Sequence, residues 1–148
     1  MARTTWITQA AAIPYRVVGA GQVEVLLVTS SKSGRWTLPK GGIKHGASAE
    51  ETAAAETLEE AGAAGCVESM IGEFTFEKEG ELLRARVHPL RVTTLLDRWA
   101  EEDRRLRAWV PIAEVARFVQ RKALVELVVA FRHRFVAATA SGRRARVA

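Results

Sequence analysis

The sequence predicts an α/β protein in which a mixed β-sheet lies between helices. Two observations carry that reading. Extended apolar stretches interleave with helix-patterned ones, and several extended stretches are joined by short turns rather than by helical crossovers. Hairpin joints make antiparallel neighbours, so the sheet cannot be the all-parallel kind of a doubly wound fold.

Residues 5–18 (TWITQAAAIPYRVV) and 23–29 (VEVLLVT) form the first two strands, joined by Gly19-Ala20-Gly21. SSKSGRW follows as a polar loop, and Trp36 to Pro39 is a short extended piece because Pro39 biases Leu38 away from the helical region. Ser48 followed by Glu51 has capping-box spacing, so a helix begins at about Ala49, and Gly62 is placed to end it. Residues 66–76, 82–95 and 106–110 are further strands, with Glu79-Gly80 turning between the first two. Pro111 opens a short helix through Phe118, and a longer helix runs from about Lys122 to Ala138. In the longer one Leu124, Leu127, Val128, Phe131 and Phe135 recur at three- and four-residue spacing, an apolar face for packing on the sheet. Residues 1–140 are expected to form a single domain, and 141–148, with Arg143, Arg144 and Arg146, a solvated and disordered tail.

At 148 residues the chain is long enough for one core. Its 48% hydrophobic and 26% charged residues suit an ordinary soluble protein, and no apolar run approaches the roughly 20 residues of a membrane span. The opening MARTTWITQ lacks the apolar core of a secretory signal, and the single Cys66 cannot form an internal disulfide. The cytoplasm is the expected compartment. A net charge of +5 points to nucleic acid, an anionic surface or a phosphorylated small molecule. Nucleic acid is disfavoured, because no recognition motif appears and aromatics do not interleave with the basic residues.

The stretch WTLPKGGIKHGASAEETAAAETLEEAG concentrates the chemistry. Glu56, Glu59 and Glu60 are three and four residues apart, so they project from one side of the helix with Cβ atoms about 5–6 Å from one another. Ala54, Leu58 and Ala61 are spaced to face the core from the other side. Uncompensated, the Glu56–Glu60 pair costs a few tenths of a kcal/mol. Clustered hard oxygens suit Mg²⁺ or Mn²⁺, above all when phosphate oxygens complete the shell. Gly41 and Gly42 let backbone approach a ligand, and Lys40 balances phosphate charge. A merely solvated acidic helix face is the plain alternative. The combination of glycine loop, capped helix, acidic edge and terminal Gly62 favours the ion.

The same stretch resembles the signature of the Nudix hydrolases: Gly, five residues, Glu, seven residues, then Arg-Glu-apolar-any-Glu-Glu-any-Gly-apolar. Gly41, Glu56, Glu59, Glu60, Gly62 and Ala63 fill their positions with the spacing kept throughout. Ala47 stands where the first Glu belongs and Ala55 where the Arg that helps hold the glutamates belongs; Thr57 is less apolar than usual. The resemblance implies an α/β/α sandwich and metal-assisted attack of water on a phosphoanhydride. It implies Glu59 as general base, and Glu56 and Glu60 as Mg²⁺ or Mn²⁺ ligands with the carbonyl of Lys40 or Gly41; the Glu59 and Glu60 roles are exchangeable.

From residue 23 to 132 the flanks SSKSGRW, TLPKGG and FVQRKALVEL resemble the diphosphoinositol polyphosphate phosphohydrolases and the related diadenosine polyphosphate hydrolases. That branch implies substrate contacts from Ser30, Ser31, Lys32, Arg35, Arg84, Arg86, Arg105 or Arg107, and Lys122. Arg suits bidentate phosphate contacts and Lys supplies point charge. One departure is Thr8-Gln9, uncharged where inositol-handling relatives place basic residues. His45 is expected in solvent and Trp36 in packing. Among Glu101, Glu102 and Asp103, beside Trp99, the sequence does not choose a further ligand or base. The partner expected is a small-molecule polyphosphate, with a homodimer left open. A nucleoside-triphosphate clean-up enzyme and a binding module that has lost catalysis are the alternatives.

Overall fold

The computed structural model describes residues 5–147, with side chains to Ala140. In chain order the elements are β1 (Ile7–Val18), β2 (Gln22–Thr29), β3 (Trp36–Thr37), β4 (Lys40–Gly42), α1 (Ala49–Ala61), β5 (Ala63–Val67), β6 (Gly72–Lys78), β7 (Glu81–Leu95), β8 (Arg107–Pro111), a 3₁₀ turn (Ile112–Glu114), α2 (Val115–Phe118) and α3 (Lys122–Val147).

The sheet is mixed, as the hairpin joints require. β1 pairs antiparallel with β2 and β4 and parallel with β7, while β7 pairs antiparallel with β5 and β6. A parallel neighbour needs a long crossover, and the segment containing α1 supplies it. Alternation along β1 sorts the two faces. Ala10 and Ala12 pack with Ala49, Ala53 and Leu90 on the α1 face. Ala11, Ile13 and Tyr15 pack with Val87, Val128 and Phe131 on the α3 face. Alanine against alanine brings α1 close to the sheet, which fixes the position of everything α1 carries.

Several expectations change. The stretch 66–76 is two strands, because residues 68–71 leave the ladder. The Glu68 carboxylate accepts from the Tyr15 hydroxyl at 2.9 Å, and Arg134 donates to Ser69 O at 2.6 Å and Met70 O at 3.2 Å. Lys40–Gly42, a loop by its glycines, is a strand paired with residues 9–11, where tertiary pairing overrides propensity. Pro111 closes β8 and precedes the 3₁₀ turn instead of opening a helix directly. The last helix continues beyond Ala138 to Val147, and the side chains of the basic tail lie outside the described residues.

The orientation of α1 also differs from the expectation. Leu58 is 43% exposed while Glu60 is 3% exposed. The sheet side is built from Thr52, Ala53, Thr57 and Ala61, small enough for the close approach, and Thr57 satisfies its hydroxyl on Ala53 O at 2.7 Å. The helix therefore turns Glu60 inward and leaves Leu58 outside.

Candidate active site

Both ends of α1 are fixed. Ser48 accepts from the Glu51 amide at 3.0 Å, and Gly62 is left-handed, at φ 64°. The final carbonyls of a helix lack partners within it. Here the segment between β7 and β8, with Arg107, takes them up. Glu101 N–H donates to Glu59 O at 3.1 Å, Trp99 Nε1 to Glu60 O at 3.0 Å, Arg107 to Ala61 O at 2.9 Å, and Leu96 N–H to Gly62 O at 2.8 Å.

This clamp presents two carboxyls together. A Cβ built on Gly41 would collide with the Glu56 carboxylate, so glycine is what lets β4 and α1 meet there. Glu60, one turn on, lies against Glu56. Burial pushes the Glu60 carboxyl up to about 8, and its hydrogen bond with Glu56 pushes the same way, while Arg105 pulls it down. Two crowded acids with one insufficient counter-charge hold a proton, or exchange it for a cation. Among the described residues no group of three or more His, Cys, Asp or Glu side chains is arranged to hold an ion, and Glu59 is exposed. The Glu56–Glu60 pair still fits Mg²⁺, which takes one or two carboxylates and completes its shell with water and substrate phosphate.

Lys40 connects this pair to a cleft of about 290 Å³ lined by Ser30, Lys32, Arg35, Lys78 and Arg121 along with Lys40 itself. Burial lowers the Lys40 ammonium to about 8, and Arg121, Lys78 and Arg105 add to the effect against the pull of Glu60. Arg121 lies over the Phe76 ring, 4.5 Å from its centroid. The cleft is a cationic trough with aromatic walls, and Lys40, which feels the charge of Glu60, is its link to the two acids.

Residues 7–131 match the family model of the NUDIX domain. The chain belongs to the NUDIX family. It is 35% identical over 127 residues to Nudix hydrolase 21, chloroplastic, of Arabidopsis thaliana, covering 82% of this chain and 64% of that protein. It is 33% identical over 100 residues to diphosphoinositol polyphosphate phosphohydrolase 2 of Rattus norvegicus, covering 66% of this chain and 55% of that one. The chain thus spans about half to two-thirds of the length of such curated relatives. Among solved structures, a C. elegans Ap4A hydrolase in a binary complex superposes with a TM-score of 0.68 at 22% identity, covering 89% of this chain and 98% of that one. At that identity it bears on the fold alone.

Within the Nudix fold the expected site residues divide. Glu56, Glu60, Gly41 and Lys40 come together at the box, and Ser30, Lys32, Arg35 and Lys40 share the cleft. Ser31 is exposed and does not line it. Arg84 and Arg86 lie in register with Thr8 and Ala10, on the α1 face, with Arg84 over Trp6 at 5.0 Å. Arg107 spends its guanidinium on Ala61 O and the Trp99 ring, 3.8 Å away. Arg105 bonds Glu101 at 2.7 Å and Thr29 O at 2.9 Å. Lys122 is exposed, and its neighbour Arg121 takes the place in the cleft. Of the acidic trio, Glu101 reaches Arg105, Glu102 pairs with Arg98 and Asp103 is exposed. His45 is exposed, and Trp36 lines the cleft edge-on to Phe118. Lys78 and Arg121 were missed. Strand period puts Lys78 on the face of Phe76 and Phe74, a signal available in advance; nothing local separates Arg121 from Lys122.

Proposed function

We propose that the protein hydrolyses a phosphoanhydride bond in a highly phosphorylated small molecule, with Mg²⁺ or Mn²⁺. The observation that carries this is the Glu56–Glu60 pair closed over Gly41, joined through Lys40 to a cationic cleft. In this reading Glu56 and Glu60 hold the cation with the carbonyl of Lys40 or Gly41. When bound, the ion neutralises anhydride charge and makes hydroxide accessible near neutral pH. Glu59, exposed on the next position of the same helix, takes the proton of the attacking water, or exchanges that role with Glu60. Lys32, Arg35, Lys40 and Arg121 hold the phosphates, with Ser30 donating.

Within that class a dinucleoside polyphosphate is favoured over an inositol pyrophosphate. Gln9 stands in the cleft instead of a cation, and Trp36, edge-on to Phe118, lines it as an aromatic surface for a nucleobase. A ligand phosphorylated on every side would want charge at those positions. The similar proteins named for diphosphoinositol polyphosphate and Ap4A keep both substrates in the comparison. The cytoplasm is the compartment proposed, on the single free Cys66. Among the described residues no helix is long and apolar enough to cross a membrane.

A second reading, a binding module without catalysis, draws on Ala47 and Ala55. Phosphate release with Mg²⁺ from diadenosine tetraphosphate, an inositol pyrophosphate and a nucleoside triphosphate separates them. The expected result is fastest release from the diadenosine compound. Release from the triphosphate alone supports the clean-up enzyme. Binding with no release from any of them overturns catalysis.

A further inference from the structure

We infer that Arg105 is a positioning residue for the cation-binding carboxylates, supplying from the segment before β8 the fixed positive charge that α1 lacks. The inference rests on the proposed role of Glu56 and Glu60 as cation ligands.

A carboxylate 3% exposed is costly unless an opposite charge accompanies it, and α1 cannot provide one. Its sequence, AEETAAAETLEEA, contains neither Lys nor Arg, and Ala55 is exposed. Among the described residues Arg105 is the cation within ion-pair distance of Glu60, at 3.6 Å. Its own side chain is 13% exposed, so the pair is screened from water. The guanidinium is held on two other sides, by Glu101 at 2.7 Å and Thr29 O at 2.9 Å. Both holders are tied down. Thr29 N–H donates to Leu106 O at 3.1 Å and its Oγ1 accepts from Leu106 N–H at 2.9 Å, while Glu101 N–H reaches Glu59 O. A closed circuit results, from α1 through Glu101 and Arg105 back to Glu60. A planar guanidinium gripped at Nε and Nη1 keeps one orientation, and the same Nη1 faces Glu60, which fixes the carboxylate opposite. Arg105 does not line the cleft, so its effect on phosphate passes through Glu60.

The test is Mn²⁺ affinity, measured by electron paramagnetic resonance on the protein without substrate, for the unaltered chain, Arg105→Met and Arg105→Lys. Positioning predicts about 10- to 100-fold weaker Mn²⁺ binding in Arg105→Met, with a smaller loss in Arg105→Lys. It also predicts a phosphoanhydride KM that returns to the unaltered value at saturating Mn²⁺. Unchanged Mn²⁺ affinity in a folded Arg105→Met, with a raised KM, would make Arg105 a substrate contact and overturn the inference. If Arg105→Met fails to fold, Glu101→Gln decides by the same readout. It removes the charge anchoring Arg105, so weaker Mn²⁺ binding supports the inference and unchanged binding overturns it. An unaltered protein that binds no Mn²⁺ overturns the cation reading itself, and this one with it.

Discussion

The two ends of the candidate site are built on opposite terms. At the carboxylate end, Glu60 is buried, its helix is clamped at four successive carbonyls, and glycine lets β4 touch Glu56. At the phosphate end, Lys32 and Arg35 sit on an exposed loop, and among the described residues Lys32 meets only Glu79, at 3.4 Å in solvent. One end has its geometry fixed before any ligand arrives. The other offers charge on flexible stems. Changes at the first should be felt steeply through geometry, and changes at the second gently through field.

The steepest effect is expected from Glu59→Gln. Its side chain is exposed and bears no packing, so the fold should persist while turnover drops about 10²–10⁴-fold, the usual worth of a general base. Metal-saturated kinetics beside a melting curve checks this. Undiminished turnover would move the base to another residue. Next comes a paired glycine test. Gly41→Ala places a methyl into the Glu56 carboxylate, the free end of a side chain that can swing away, so stability should change little while Mn²⁺ binding weakens. Gly42→Ala meets nothing within 4 Å and should leave Mn²⁺ affinity unchanged. Equal effects at the two glycines would break the contrast between a fixed end and an adaptable one.

pH sharpens the same contrast at the residues where the two ends join. The Glu60 carboxyl is raised from 4.5 to about 8, so its contribution to stability is complete below 4.5 and lost as pH rises through about 8. Lys40 is lowered from 10.5 to about 8, so its contribution is complete above 10.5 and lost as pH falls through about 8. These two groups together give the cation-free protein a stability minimum near pH 8. Melting temperatures between pH 5 and 10 in chelator should trace that dip, and Mg²⁺ should shallow it by replacing the Glu60 proton. A flat profile in chelator would mean that neither group is strained by its surroundings.

What the sequence made legible follows the same division. The box was readable because its chemistry is local: capping spacing, helical period and two glycines lie within one short run, and the structure returns α1 with the expected bounds and caps. The rotation of that helix was not readable. Leu58 looked like core and Glu60 like surface, and only β1's run of small residues, distant in sequence, decides which side packs. Arg105 was likewise named as phosphate-facing from its place before Trp109, whereas its partners Glu101, Thr29 and Glu60 come from three separate elements. Ladder pairing accounts for the rest: residues 40–42 become a strand because residues 9–11 lie open beside them.

The gentlest expected effect lies at the mouth of the cleft. Lys32 and Glu79 form an exposed pair, and such pairs contribute about 0–1 kcal/mol, so Lys32→Ala should leave the melting temperature almost unmoved. Its influence on a polyphosphate is Coulombic at a distance, through solvent. KM should therefore rise only a few-fold at low ionic strength, and the difference from the unaltered protein should fade as salt shortens the Debye length toward about 8 Å at 0.15 M. Arg121→Gln makes the stricter comparison. Arg121 is stacked on Phe76 in the cleft, where burial holds its guanidinium below the usual arginine range, so its charge is less screened and its effect on KM should survive salt that erases that of Lys32. If salt removed both effects equally, the cleft would be a diffuse field throughout, and the gradient from anchored acids to free lysine would end at Lys40 instead of reaching Arg121.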